Sequence, residues 1–157
     1  MHKIRPFLWF DNQAEEAAEF YVSIFKNSKI GAISRYGDAG PGPAGQALVV
    51  PFELDGQDFM GLNGGPIFKF SPAISFLINC EDQAEVDHYW DRLLEGGQPS
   101  QCGWLSDKYG LSWQVVPTIL GDLLSDPDPI KSGRVMTAML KMVKLDIAEL
   151  KRAYEEE

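Results

Sequence analysis

The sequence predicts an α+β fold: a duplicated strand-helix-strand-strand-strand (βαβββ) module followed by C-terminal helices. Three observations carry this. Residues 7–25 and 76–94 overlay at an offset of 69, with Phe7-Leu8-Trp9 meeting Phe76-Leu77-Ile78, Phe20-Tyr21 meeting Tyr89-Trp90, and Ile24-Phe25 meeting Leu93-Leu94. Self-similarity of a strand-to-helix unit is the mark of a duplicated module. Each copy is followed by short apolar runs bounded by turn residues, and from Thr118 the pattern becomes helical. A chain of 157 residues that is 45% apolar has the size and composition of one domain with a sizeable core. It reads as a single domain: module 1 over about 1–66, module 2 over about 67–117, and a helical extension over about 118–157. Duplication makes the cavity between the halves the natural place for function.

The first run, 4–10, is short, aromatic-rich and bounded by Asp11-Asn12, a strand followed by a helix start signal. The helix is expected over 13–26. Ala17, Phe20, Tyr21, Ile24 and Phe25 recur at three and four, while Glu15, Glu16 and Glu19 fill the outer face and favour the positive N-terminal end. Residues 29–36 read as a strand, and the Gly- and Pro-rich stretch 37–45 as loop. A strand over 46–54 ends at Asp55-Gly56, a strong hairpin signal, so 57–62 returns antiparallel and stops at Asn63-Gly64-Gly65-Pro66.

The second pass repeats this order less cleanly. Residues 73–79 form a strand and 82–94 a helix with Val86, Tyr89, Trp90 and Leu93 inward, stopped by Gly96-Gly97. Strands follow over 98–105 and 111–116, with Asp107-Lys108-Tyr109-Gly110 turning between them and Pro117 ending the sheet. The helical remainder is broken at Pro127 and Pro129 and closes on an acidic, solvated tail.

Composition excludes several functions. A net charge of −9 with no Lys/Arg cluster leaves no face for a phosphate backbone, so neither nucleic acid nor an anionic membrane is an expected partner. No apolar run approaches the roughly 20 residues of a membrane span, and the N-terminus turns amphipathic by Asp11; the expected location is cytoplasmic. Cys80 and Cys102, in no Cys-x-x-Cys spacing, are expected to be buried free thiols.

Several stretches together resemble a known family. Phe7-Leu8-Trp9-Phe10, Leu62-Asn63-Gly64-Gly65-Pro66, Cys102-Gly103-Trp104-Leu105, Asp107-Lys108-Tyr109-Gly110-Leu111-Ser112-Trp113-Gln114 and the Asp126-Pro127-Asp128 segment are similar to the PhnB-like proteins. These belong to the glyoxalase, bleomycin-resistance and extradiol-dioxygenase (vicinal oxygen chelate) superfamily. The resemblance implies that the paired modules form an open, eight-stranded barrel-like cup, and that the protein is a homodimer. Relatives often carry the label 3-demethylubiquinone-9 3-methyltransferase. Gly40-Pro41-Gly42-Pro43-Ala44-Gly45 matches G-x-G-x-x-G, but its prolines and the strand after it leave no helix N-terminus to receive a nucleotide.

The superfamily's four metal positions, carried over by alignment, fall near Pro6, Asn63, Ser75 and Gln114. Only Gln114 is an ordinary ligand there, so no metal and no other cofactor is expected. His2 and His88 are read as solvent-facing, and Glu53, Asp55 and Asp58 as a solvated turn. No Ser or Cys has an evident activating partner.

What remains for the cup is a polar set inside an aromatic wall. With Gln114 inward, the period of two puts Ser112 and Val116 beside it and sends Trp113 and Val115 to the other face. The same rule groups Asn63 with Gly61 and Phe59. Gln114, Asn63 and Ser75 are then expected to hydrogen-bond a small organic molecule, with Phe76, Trp9 or Phe7 supplying apolar surface. The competing reading is that these polar groups satisfy one another. Function divides between a binding or sequestering protein and an enzyme, the latter a metal-dependent lyase, isomerase or dioxygenase, or the methyltransferase of the label. Met136, Met139, Leu140, Val143, Leu145, Ile147 and Leu150 are expected to pack across the dimer interface.

Overall fold

The first apolar run becomes β1 (Phe7–Phe10), with Leu8 and Phe10 buried and Phe7 exposed. The computed structural model describes residues 2–156 and divides into two compact units, Met1–Phe70 and Ser71–Glu157. In the first unit, β1 is followed by α1 (Ala14–Ile24), β2 (Lys29–Ile30), β3 (Ser34–Arg35), β4 (Ala47–Leu54) and β5 (Gln57–Asn63). The sheet order is β1-β5-β4-β2, with β3 also on β4 and with β1 parallel to β5.

Helix α1 lies on one face of this sheet and buries Ala14, Ala17, Ala18, Tyr21 and Ile24, which recur at helical spacing. Small residues set how closely it approaches. A Cβ on Gly61 would stand 3.2 Å from the Cβ of Ala14, so a larger residue there would press the helix outward by a few tenths of an ångström. Burying Tyr21 and Ile24 contributes roughly 1.5–3 kcal/mol each. The hairpin between β4 and β5 turns on Asp55 at φ 47° and Gly56 at φ 80°, two successive left-handed residues as a type I′ turn requires.

In the second unit, β6 (Ser75–Cys80), α2 (Gln83–Leu94), β7 (Gln98–Pro99), β8 (Trp104–Ser106) and β9 (Ser112–Pro117) form a sheet of order β6-β9-β8-β7, with β6 parallel to β9. Asp82 caps α2 by accepting from Glu85 N, and Val86, Tyr89, Trp90 and Leu93 are its buried face. Neither unit's sheet closes on itself.

Three expectations are corrected. The strand expected over 29–36 is broken into β2 and β3, because its partner β4 carries Pro51, which has no N–H to donate; Gly31 instead donates to the Pro51 carbonyl at 2.8 Å. The strand expected over 98–105 folds back as β7 and β8, because Cys102 (φ 56°) and Gly103 (φ 85°) are both left-handed and reverse the chain. The repeat offset of 69 holds for the helices, where Ala17, Tyr21 and Ile24 match Val86, Trp90 and Leu93, but not for the strands. Three residues separate β1 from α1 and two separate β6 from α2. Phe10 therefore matches Cys80, an offset of 70, and the strand overlay at 69 puts each side chain on the wrong face.

Beyond β9 come α3 (Thr118–Leu124), α4 (Pro129–Met139) and α5 (Ile147–Glu155). Pro129 opens α4, where no N–H is needed, and Asp128 caps it through Ile130 N. Leu120, Leu123, Val135, Leu145 and Leu150 form a core of their own, with Met139 and Met142 packed against it. Part of the apolar run expected at a dimer interface is thus satisfied within the chain, while Met136 (41%), Leu140 (60%) and Val143 (41%) stay exposed.

The end of α5 is tied down by Tyr154 Oη, which donates to Asp126 Oδ2 at 2.6 Å, and by Arg134, which donates to the carbonyls of Ala153 and Tyr154. The bond from Tyr154, then that from Asp128 N, holds the Asp126 carboxyl below its ordinary value, and the same bond raises the Tyr154 phenol. A lowered carboxyl stabilises the fold above its unfolded pKa and ceases to as pH falls through the folded value. A raised phenol stabilises below its unfolded pKa, near 10, and ceases to as pH climbs through the folded value. The stability difference between the native protein and Tyr154→Phe is therefore expected to be flat between about pH 5 and 9 and to shrink on either side. Urea titrations across pH check this; a difference that ignores acid would show that the bond is not what ties the helix.

Candidate functional site

In the second sheet, α2 covers the face bearing Cys80, Leu105, Trp113 and Val115, all buried. Register places the other side chains on the opposite face. Ser75 pairs with Ser112, Leu77 with Gln114, Trp104 with Gln114, and Ser106 with Ser112. Paired residues share a face, so Ser75, Leu77, Ser112, Gln114, Trp104 and Ser106 line the side without α2. There Gln114 Nε2 donates to Ser75 Oγ at 2.9 Å, Ser112 is 5% exposed and Leu77 is 50% exposed. The structure thus brings together three of the expected residues, Ser75, Ser112 and Gln114. Two of them satisfy one another, each keeping further hydrogen-bonding valence.

Phe76 is not on this face. It pairs with Trp113, ring centroids 5.7 Å apart, on the side covered by α2. The overlay at 69 had equated it with Phe7, and the one-residue difference in linker length reverses it. Trp104 is the residue that the sequence reading left out. Recognising Cys102-Gly103 as a turn would have set Trp104 opposite Gln114.

In the first unit, Asn63 lies on the face covered by α1. Its Oδ1 accepts from Ala14 N at 2.8 Å and its Nδ2 donates to the Ala47 carbonyl at 2.9 Å, both buried. Gln13, the residue before α1, makes no side-chain cap, so Asn63 caps this helix from a neighbouring strand. Trp9 pairs with Leu62 on the opposite face of the same sheet, with its indole N–H on the Gly65 carbonyl at 2.9 Å and its ring edge-on to Phe68.

The reactive side chains are ordinary. Burial, and then the charge of Glu85, push the Cys80 thiol up to about 12, so it is not a thiolate at neutral pH. Cys102, half-buried, is also free, with Sγ on the Met139 carbonyl. His2 bonds Asp58, and His88 is exposed. Residues 37–45 lead into β4 rather than into a helix, and Gly40 and Gly42 pack on the ring of Tyr36, where a Cβ would come within 2.8 Å and 2.5 Å of it.

The donor set does not fit a divalent ion. Pro6 has no side-chain donor, the Asn63 amide is committed to Ala14 and Ala47, and Ser75 and Gln114 are neutral and bonded to each other. Among the described residues no three His, Cys, Asp or Glu side chains form a group able to hold a metal. No helix in them is long and apolar enough to cross a membrane.

A family model described as 3-demethylubiquinone-9 3-methyltransferase matches residues 2–116. The solved PhnB protein from Bacillus cereus is 39% identical, the match covering 74% of this chain and 100% of that one at a TM-score of 0.70. A glyoxylase/bleomycin resistance protein/dioxygenase domain from a Frankia species is 13% identical over 74% of this chain and 92% of its own, with a TM-score of 0.50. The fosfomycin resistance protein FosX from Listeria monocytogenes, solved with Mn(II) and sulfate, is 14% identical over 74% of this chain and 91% of its own, with a TM-score of 0.51. These last two show a shared fold alone. No curated protein matches the chain.

Proposed function

Because this chain belongs to the family described as 3-demethylubiquinone-9 3-methyltransferase, the PhnB-like proteins of glyoxalase/bleomycin-resistance/dioxygenase fold, we propose that it binds a small organic molecule without a divalent metal, on the face of its second sheet that α2 does not cover. The observation that supports this most is the Ser75–Gln114 pair, half-buried between Leu77 and Trp104, where polar groups with valence to spare adjoin apolar surface. Polar groups of this kind fix a ligand's orientation, and the apolar neighbours supply the area it buries.

Gln114→Ala is expected to weaken binding about tenfold, the loss of roughly one hydrogen bond, while changing stability by less than about 1 kcal/mol. Isothermal titration with a guest found by quenching of Trp fluorescence reads the first quantity, and urea unfolding the second. Unchanged affinity in both Gln114→Ala and Ser75→Ala would show that the site is elsewhere. The family description supports a second reading, methyl transfer; saturable binding of S-adenosylmethionine followed by methylated product is its test.

A homodimer is part of the proposal. Met136, Leu140 and Val143 remain exposed after the C-terminal core has formed, and this apolar remainder suits a second copy. Truncating the extension would also remove Leu145 and Leu150 from that core, so a surface substitution is the cleaner probe. Leu140→Glu is expected to raise the dimer dissociation constant at least about tenfold while the monomer stays folded, as read by sedimentation velocity over a concentration series and by circular dichroism. An unaltered dimer would place the interface elsewhere.

A further inference from the structure

Resting on the binding reading above, we propose that the ligand of the Ser75–Gln114 face is uncharged and carries a hydrogen-bond donor beside an acceptor on a flat apolar body, as a primary amide, lactam or phenol does, and that phosphonates, phosphates and carboxylates are rejected.

The first argument is charge. The residues that register places on this face, among them Ser75, Leu77, Trp104, Ser106, Ser112 and Gln114, include no ionisable group, and the chain as a whole carries a net charge of −9. An anion seated here would lose hydration with no cation on this sheet face to replace it. A neutral guest escapes that cost.

The second argument is hydrogen-bond valence. Gln114 Nε2 donates to Ser75 Oγ, which leaves the serine O–H and the second Nε2–H as donors and the Gln114 carbonyl oxygen as an acceptor. With the amide turned over, the serine would donate to the glutamine oxygen, leaving Nε2 as donor and Oγ as acceptor. Either way the pair offers donors and an acceptor side by side, and a guest that carries an acceptor beside a donor complements both. The third argument is surface. Trp104 stands directly across from Gln114 and Leu77 pairs with Gln114 from the other strand, so the polar pair has a flat aromatic neighbour and an exposed aliphatic one.

Benzamide, benzoate and phenylphosphonate share a ring and differ in charge. Each is titrated into the full-length 15N-labelled protein, with the Gln114 side-chain amide and Trp104 indole signals assigned from Gln114→Ala and Trp104→Phe. Benzamide is expected to shift both signals with a Kd at least about tenfold below that of either anion. Benzoate or phenylphosphonate shifting the same signals as tightly as benzamide overturns the assignment of charge and leaves the binding reading standing. Silence of both signals to all three probes overturns the binding reading, and this inference with it.

Discussion

Asp107→Ala is expected to destabilise the second unit by about 3–4 kcal/mol, the largest effect of any single polar substitution considered for this chain. Asp107 is 3% exposed and sits in the turn between β8 and β9. Its Oδ1 accepts from Tyr109 N at 2.9 Å and Leu111 N at 3.1 Å, and its Oδ2 accepts from the Trp113 indole at 2.9 Å. One carboxylate thus closes the turn and anchors the largest fully buried side chain of the core. Truncation leaves these donors with an acceptor gone, and a buried donor left unsatisfied costs about 1–3 kcal/mol. Asp107→Asn is expected to cost less, because one oxygen still accepts from the turn while the amide N–H2 faces the indole N–H. Urea unfolding followed by the near-UV signal of Trp113 measures both. A loss below about 1 kcal/mol in Asp107→Ala would mean that water replaces the carboxylate without penalty.

Asn63→Ala is expected to cost about 2–3 kcal/mol, by uncapping α1 and freeing the Ala47 carbonyl at once. Asn63→Asp separates the two roles: its carboxylate still accepts from Ala14 N but meets the Ala47 carbonyl oxygen with no donor to offer. Both variants are expected to lower the melting temperature. Guest affinity per folded molecule should remain within about twofold, in contrast to Gln114→Ala. Loss of affinity at full stability in Asn63→Ala would return Asn63 to the binding site.

The difference between Asn63 and Gln114 shows how far the sequence was legible. Both are neutral amides on strands, Asn63 as the last residue of β5 and Gln114 within β9, and the family resemblance assigns both the same expected role. Alternation within β9 correctly separated Gln114 and Ser112 from Trp113 and Val115, because successive side chains of a strand point to opposite faces. In β5 the grouping of Asn63 with Phe59 and Gly61 was also correct, yet that group faces the helix. Alternation sorts residues into two faces and does not say which face is covered. The signal was present: a helix whose first residues lack a capping side chain needs an acceptor from elsewhere, and Gln13 provides none.

By itself, the sequence determined the order of elements, the buried faces of α1 and α2, the Asp55-Gly56 hairpin and the family. These follow from local spacing, turn chemistry and motif. Tertiary structure alone decided which strand face α1 and α2 cover, where the strands break, and which polar groups a neighbour already satisfies. A one-residue change in linker length reverses a strand, a proline on the partner strand removes a donor, and a cap supplied from 49 residues away has no local signature.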